Sequence, residues 1–235
     1  MGLLALFDVD GTLFVSHDPI ASEAMLGTLG ELYGVTLPDN AVDRVDHPGQ
    51  TAQRIARLVL RNEGLDDAAV DEQLGGWCGL FAERYVGLLR EADTSAWKVP
   101  PGAAESLLRL QDAGVELALL TGNPEPMARA RMERLDLARF FPSGQGAFGC
   151  DAEARRELFG LARKRAGEKP LGETAAIGDT PRDAASAHEA GIRSIVIPSP
   201  RTAHEQFPGA DVICDDLADA AERLLAWAGE PPTQG

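Results

Sequence analysis

The sequence predicts an α/β fold in which a doubly wound, Rossmann-like parallel sheet is interrupted by an all-helical insertion. Three observations predict it. A continuous apolar run, residues 3–7, lies almost at the N-terminus and is typical of a strand buried on both faces. No strand pattern follows between Leu13 and Val99, and from there helical and strand patterns alternate. This alternation indicates parallel pairing, so the first strand must join the strands of the second half.

The predicted organisation is a core made of residues 1–14 and 97–235, with a helical insertion of residues 15–96. Three helices are predicted in the insertion from the spacing of apolar residues, at about 19–33, 51–62 and 67–91. Glycines at 75, 76 and 79 leave open whether the third helix is continuous. Three aromatic residues recur along that helix at every fourth position, namely Trp77, Phe81 and Tyr85. This spacing puts them on one face and predicts that they pack in a core.

The second half of the chain supplies the remaining strands and helices. Strands are predicted at about 116–120, 147–148, 174–177, 194–197 and 211–213. Helices are predicted at about 103–113, 125–135, 152–166, 182–190 and 217–228. The Pro- and Gly-containing tail, residues 230–235, predicts no regular structure.

Composition and charge exclude several classes of function. The chain has 235 residues, of which 44% are hydrophobic and 25% charged, as in an ordinary globular protein. Its formal net charge of -15 argues against nucleic acid or an anionic membrane as the main partner. A small anionic substrate stays compatible with this charge, since a local cationic site can override the global field.

The sequence carries no pattern for export or membrane insertion. The N-terminal apolar run is only a few residues long and has no basic region before it. Cys78, Cys150 and Cys214 are far apart and form no Cys-x-x-Cys pair, which predicts reduced thiols rather than disulfides or a zinc site. We therefore expect a soluble cytoplasmic protein, and the sequence leaves its oligomeric state open.

Two carboxylates end the first strand. Asp8 and Asp10 are two residues apart, so their side chains leave an extended chain on the same side, about 6–7 Å apart. Two negative charges that close repel each other and are costly to desolvate, and a divalent cation would resolve this. Gly11 permits a tight turn, and Thr12 can bond locally. An ordinary Asp-rich turn is the alternative interpretation.

The stretch Asp8-Val9-Asp10-Gly11-Thr12, at the end of an apolar strand, resembles the nucleophile motif of the haloacid dehalogenase superfamily in its phosphatase branch. The resemblance implies that Asp8 is the nucleophile and Asp10 the general acid/base. The helical insertion takes the place of the cap found in phosphoglycolate phosphatase- and β-phosphoglucomutase-like members. The other residues that match the family follow in its usual order: Thr121, Arg155, Asp179 and Asp183.

Polar groups also end two later strands. Because ligands of doubly wound sheets bind beyond the carboxyl ends of the strands, these groups are candidates for one site. The hydroxyl of Thr121 and the amides of Gly122 and Asn123 could donate to phosphoryl oxygens, or could form a simple strand-to-helix turn. The position of Asp179 directly after a buried strand favours a role as a metal ligand. Asp183 fits equally well as a residue that caps the next helix.

The family usually has a lysine before the strand that leads to Asp179, and this chain departs from that pattern. Lys164 lies inside a predicted surface helix, and Lys169 lies in the loop after it. Arg155 stands at the start of that helix, where the family's cation is also found, and Arg156 is the near alternative. A solvated charged helix face would explain the same residues without a role in binding.

The segment His47-Pro48-Gly49-Gln50-Thr51 resembles the part of the family's cap that faces the active site. The resemblance implies that Gly49, Gln50 and Thr51 contact the substrate. Gln50 replaces the cationic residue that usually follows this glycine. An ordinary helix-start turn explains the segment about equally well.

The resemblance as a whole implies a Mg²⁺-dependent phosphohydrolase that cleaves a small phosphorylated metabolite through an aspartyl-phosphate. Thr121 and Arg155 would bind phosphoryl oxygens. The implied metal site consists of Asp8, Asp10 through its main-chain carbonyl, Asp179 and, behind them, Asp183. A phosphomutase needs the same core residues and is the main alternative. A non-catalytic phosphate-binding module is disfavoured, because binding alone requires no acid/base.

Overall fold

The computed structural model describes residues 2–230. Met1 and residues 231–235 lie outside it, and with them most of the predicted irregular tail. Six parallel strands in the described part form one sheet in the order β3-β2-β1-β4-β5-β6. The strands are β1 (Leu4–Phe7), β2 (Glu116–Thr121), β3 (Ala147–Phe148), β4 (Thr174–Gly178), β5 (Arg193–Val196) and β6 (Val212–Ile213). The predicted parallel α/β fold is thus confirmed.

The helices follow the predicted positions closely. They are α1 (Pro19–Tyr33), α2 (Ala52–Asn62), α3 (Asp67–Glu91), α4 (Ala103–Asp112), α5 (Glu125–Arg134), α6 (Arg155–Arg165), α7 (Pro181–Glu189) and α8 (Leu217–Ala228). Helix α3 is continuous, because its three central glycines lie on the exposed face while Leu74, Trp77 and Phe81 on the other face are buried. None of the helices in residues 2–230 has the length and apolarity that a membrane crossing requires.

The sheet is covered on both faces, which explains the unbroken apolar run of β1. Ala5 and Phe7 pack into a cluster with residues of α4, α5 and α8. Leu4 and Leu6, which point to the other side, pack with residues of α6 and α7. Successive side chains of a strand face opposite sides, so a strand between two helical layers must be apolar at every position.

The helical segment, which we define as residues 15–96, has a hydrophobic cluster of its own. Leu29 of α1, Val59 of α2 and Trp77 of α3 are completely buried in it. Met127 of α5 joins the same cluster, so α5 connects the segment to the sheet layer. The division into a core of residues 1–14 and 97–235 and a separate cap stays a prediction.

One disulfide corrects the prediction of reduced thiols. Cys78 in α3 is bonded to Cys150, which follows β3, and the two are separated by 72 positions in the sequence. Spacing alone could not reveal this pair, because its Cα–Cα distance of 5.9 Å results from the packing of the helical segment beside the sheet edge. The disulfide therefore links the helical segment covalently to the sheet-bearing part. Cys214 is buried and lies outside the disulfide.

Reduction of the Cys78–Cys150 disulfide is expected to lower the free energy of unfolding by roughly 2–4 kcal/mol, because the cross-link restricts the unfolded chain. Urea unfolding of the oxidised protein with and without reductant measures the difference. A Cys78→Ala/Cys150→Ala variant is the control, since its unfolding midpoint should not respond to reductant. An unchanged midpoint of the wild-type protein in reductant would contradict the expectation.

Candidate active site

The carboxyl ends of β1, β2 and β4 open into a cavity of about 490 Å³ that also contacts the helical segment. Most of the predicted site residues line it: Asp8, Asp10, Thr121, Gly122, Asn123, Arg155, Asp179, Gly49 and Gln50. These residues come from distant parts of the chain, and the parallel order of the strands brings them to one edge of the sheet. Asp183 and Thr51, which were also predicted, are not among the residues that line it.

Three carboxylates at this edge have the arrangement of a metal site. Asp8, Asp179 and Asp183 each offer an oxygen, and these oxygens lie within 4.8 Å of one another. Both carboxylate oxygens of Asp179 are buried and have no hydrogen-bond donor among the described residues. A hard divalent cation would satisfy such oxygens, so the residues fit the metal that the sequence implied. The Asp10 carboxylate points elsewhere, which leaves its main-chain carbonyl as the candidate ligand.

Burial shifts the acidity of two of these groups. Burial raises the pKa of Asp8 to about 8, and neighbouring carboxylates add to this although Arg155 opposes it. Burial likewise raises the pKa of Asp179 to about 6. Without a cation, both carboxyls therefore hold protons more tightly than they would in water. A bound cation must displace those protons, which couples its binding to pH.

Mg²⁺ is expected to raise the melting temperature more at pH 8 than at pH 6. Protons occupy Asp8 and part of Asp179 at pH 6 and compete with the cation, and this competition weakens as pH rises past the two raised pKa values. Thermal unfolding with and without Mg²⁺, at constant ionic strength, measures both shifts. Asp179→Asn, which removes one anionic candidate ligand, should lose most of the stabilisation at either pH. Equal stabilisation of the wild type at both pH values would contradict the expectation.

Asp183 caps α7 and thereby shapes the loop that carries Asp179. Its Oδ2 accepts hydrogen bonds from the backbone amides of Asp179 (3.2 Å) and Thr180 (2.9 Å) and from the Thr180 hydroxyl (2.7 Å). Thr180 in turn accepts from the Asp183 amide, which completes a capping box. The helix-capping interpretation of Asp183 is therefore present in the structure, alongside its place in the carboxylate cluster. Gly11 approaches the same loop, and a Cβ there would lie 2.1 Å from Asp179 Oδ2.

Arg155 is the arginine that reaches the carboxylates. It begins α6 and is buried, with Nη2 at 3.2 Å from Asp8 Oδ1 and 2.6 Å from Asp183 Oδ1. Arg156 points outward, with 63% of its side chain exposed and 3.9 Å from Glu189. Lys169 forms an ion pair with Glu116 at the start of β2, so it lies at the amino ends of the strands, opposite the cavity.

A hydrogen-bond chain connects the end of β2 with the first motif. Thr121 Oγ1 accepts from the backbone amide of Asn123 at 3.3 Å and from its Nδ2 at 3.1 Å. The same Nδ2 donates to Asp10 Oδ2 at 2.5 Å. Asn123 therefore holds Thr121 and Asp10 side by side. This cross-strand role could not be read from the local sequence.

The helical segment lies directly against this edge through residues 49–52. Ala52 N donates to Gly122 O at 2.7 Å, and a Cβ on Gly122 would come within 2.0 Å of Gln50 O. Gly122 therefore permits a close backbone contact that a larger residue would prevent. Gly49 O accepts a hydrogen bond from Arg155 Nη1 at 3.2 Å, so the helical segment also contacts the buried guanidinium of Arg155.

Thr51 requires a correction. The sequence predicted that it contacts the substrate, but it is fully buried at the start of α2. Its hydroxyl accepts from Arg54 N at 3.2 Å and donates to Glu153 O at 2.7 Å. The helix-start interpretation is therefore the correct one for Thr51, whereas Gly49 and Gln50 do line the cavity.

Arg131 also lines the cavity, although it was not among the residues predicted from the sequence. It lies on α5, is 2% exposed, and places Nη1 2.7 Å from Asp10 Oδ1. The sequence did contain an indication that Arg131 is buried. It follows Met127 by four positions and Ala128 by three, so it lies on the same apolar face of the helix. An arginine on the apolar face of a helix needs a buried partner. Asp18 supplies it, with Oδ2 2.7 Å from Arg131 Nη2, and Asp10 is a second acidic neighbour.

Comparison with known proteins identifies the family. A family model described as haloacid dehalogenase-like hydrolase matches residues 4–191. The chain is a member of this family. Phosphoglycolate phosphatase of Pseudomonas syringae pv. tomato is 31% identical to this hydrolase over 205 residues, covering 83% of this chain and 68% of the relative. Phosphoglycolate phosphatase of Escherichia coli O157:H7 is 30% identical over 204 residues, covering 80% and 78%.

Solved structures share the fold of this hydrolase. CbbY from Rhodobacter sphaeroides in complex with phosphate superposes with a TM-score of 0.63 at 22% identity, covering 93% of this chain and 96% of CbbY. A CbbY mutant in complex with xylulose-(1,5)-bisphosphate gives a TM-score of 0.64 with the same identity and coverage. These similarities confirm the predicted family, fold and enzyme class, a phosphatase of the haloacid dehalogenase type.

Proposed function

We propose that this hydrolase is a Mg²⁺-dependent phosphomonoesterase that acts through an aspartyl-phosphate on Asp8. The observation that carries the proposal is the meeting of Asp8, Asp10, Arg155 and Asp179 in one cavity, with Asp183 within reach of Asp8 and Asp179. A nucleophile, a second carboxylate and a cation for the phosphoryl group are what a two-step phosphoryl transfer needs. The phosphoglycolate phosphatases among the relatives support the same class of reaction.

In the first step the Asp8 carboxylate attacks phosphorus and forms the aspartyl-phosphate, while Asp10 protonates the leaving alcohol. In the second step Asp10 takes a proton from the water that cleaves this intermediate. Arg155 and the Thr121 hydroxyl donate hydrogen bonds to phosphoryl oxygens. Mg²⁺, held by Asp8, Asp179 and the Asp10 carbonyl, would supply positive charge that offsets the charge of the phosphate.

Residues at the margin of the cavity support these groups. The amides of Gly122 and Asn123 provide further donors to the phosphoryl group. Asp183 holds the loop that carries Asp179 and forms an ion pair with Arg155, so it orients the proposed metal ligand and the guanidinium together.

The helical segment acts as the cap of this active site. Residues 49–52 already lie against Gly122 and Arg155, so the segment closes one side of the cavity and excludes water from it. A cavity of about 490 Å³ suits a small phosphorylated metabolite. The net charge of -15 makes a nucleic acid or an anionic membrane an unfavourable partner.

Phosphate release from p-nitrophenyl phosphate and from a panel of phosphorylated metabolites tests the proposal. We expect release that requires Mg²⁺ and stops on chelation, together with an acid-stable phosphoryl adduct on Asp8 detectable by mass spectrometry. Phosphate binding without release would indicate a binding module. Transfer of the phosphoryl group to a second position of a sugar phosphate, without accumulation of free phosphate, would indicate the mutase alternative.

A further inference from the structure

The guanidinium of Arg131 bridges the sheet edge and the helical segment. Nη1 lies 2.7 Å from Asp10 Oδ1 and 3.0 Å from Asp10 Oδ2. Nη2 and Nε lie 2.7 and 3.2 Å from Asp18 Oδ2. Asp10 follows β1, whereas Asp18 is the N-cap of α1, the first helix of the helical segment. One buried side chain thus contacts both the proposed acid/base and the start of the cap.

The position of the guanidinium is fixed from several sides. Nε also donates to the hydroxyl of Tyr85 at 3.0 Å, and that hydroxyl donates to Asp18 Oδ2 at 2.8 Å. Burial raises the pKa of Tyr85, so this hydroxyl keeps its proton. The guanidinium carbon lies 5.1 Å from the centroid of the Phe14 ring and 5.4 Å from that of Tyr85. Aromatic rings on the core side and on the cap side therefore hold Arg131 between them.

Stability alone is a weak explanation for this arrangement. Desolvation of a buried ion pair offsets most of its attraction, so apolar residues of similar size would stabilise the fold about equally well. The arrangement does restrict Asp10, whose two oxygens are held by Arg131 and by Asn123. The side chain of Asp10 is still 43% exposed, so a substrate can reach it.

We infer that Arg131 is a positioning residue that orients Asp10 toward the leaving group and ties this orientation to the placement of α1. The inference rests on the proposed function, because it assigns Asp10 the acid/base role. An arginine that contacts both elements places Asp10 correctly only when the start of the cap is in position. Proton transfer to the leaving group then depends on the seating of the cap.

Leaving groups of different basicity test this role. p-Nitrophenolate departs without a proton, whereas an alkoxide requires one, and kcat/KM reports only the steps up to the aspartyl-phosphate. We expect Arg131→Met to lower kcat/KM about a hundredfold for the best alkyl phosphate of the panel and less than about threefold for p-nitrophenyl phosphate. Arg131→Lys, which keeps the buried charge, should show an intermediate loss for the alkyl phosphate.

Matched variants make the result specific. Asp10→Asn should reproduce the selective loss. Arg134→Met should leave both substrates unaffected, since Arg134 lies on the same helix and bonds Leu89 O of the helical segment at 3.0 Å without touching Asp10. Asp18→Asn keeps a residue that can cap α1 but weakens the hold on Arg131, and it should show a smaller selective loss.

The outcomes separate this inference from the proposed function. Equal losses for both substrates would overturn it, and so would a rise in KM alone, which would make Arg131 a substrate contact. A wild-type rate for both substrates in Asp18→Asn would overturn the link to the cap. If Arg131→Met fails to fold, Arg131→Lys and Asp18→Asn decide the question. Failure of the wild-type protein to release phosphate from either substrate would instead refute the proposed function.

Discussion

Asp8→Asn should remain folded and lose turnover by roughly four orders of magnitude or more, as expected when a nucleophile is removed. Asparagine has nearly the same shape as aspartate, and its amide is a poor nucleophile. Asp8 is 5% exposed with a pKa raised to about 8, so its charge is costly in the fold and the neutral amide removes that cost. The variant therefore separates catalysis from folding.

The measurement is Mg²⁺-dependent phosphate release at saturating substrate, with circular dichroism and thermal unfolding of each variant. Asp112→Asn is a matched control, because Asp112 is exposed at the end of α4 and should leave turnover unchanged. Asp8→Asn should also fail to form the phosphoryl adduct. Residual activity within about tenfold of the wild type, roughly 1.4 kcal/mol in the barrier, would be incompatible with covalent catalysis by Asp8.

Arg155→Ala is expected to lower turnover about a hundredfold or more, the scale of losing an electrostatic contact to the transition state. In the proposed reaction, the phosphate and Asp8 bring several negative charges into one cleft, and Mg²⁺ would offset only part of them. Arg155 is the cation 3.2 Å from Asp8, and guanidinium can bind phosphate through two parallel hydrogen bonds. Arg155→Lys should recover part of the loss, because it keeps the charge but not that geometry.

Two further variants control for the loss of positive charge. Arg156→Ala changes the next residue of the same helix, which is exposed, and Lys169→Ala changes the cation at the opposite edge of the sheet. Both should keep turnover close to the wild type at saturating Mg²⁺, with folding checked by circular dichroism. If Lys169→Ala lost activity and Arg155→Ala kept it, the cationic side chain that binds the phosphoryl group would have been assigned to the wrong residue.

The sequence by itself determined the order and type of the regular elements. Strand β1 had to be apolar throughout because helices cover both faces of the sheet, and this pattern is visible without any tertiary information. Parallel strands with helices between them also place their carboxyl ends at one edge, so Asp8, Thr121 and Asp179 could be predicted to meet. By the same reasoning Lys169, in the loop between α6 and β4, belongs at the amino ends of the strands, where it pairs with Glu116.

Only the tertiary structure decided which neighbouring side chain faces the cavity. Arg155 and Arg156 are equivalent in composition, but successive residues of a helix point in directions about 100° apart, so only one of them turns toward Asp8. Thr51 could equally have contacted a substrate or capped α2. In the structure its hydroxyl accepts from the Arg54 amide, which caps α2, and donates to Glu153 O.

Contacts between the helical segment and the sheet could not be predicted from sequence patterns either. The Cys78–Cys150 disulfide and the bridge from Arg131 to Asp18 join residues more than 70 positions apart. Local periodicity shows which face of a helix is buried, but not which residue of a distant element it meets. That pairing depends on how the segment packs beside the sheet, because side chains meet only where the whole chain places their backbones within reach.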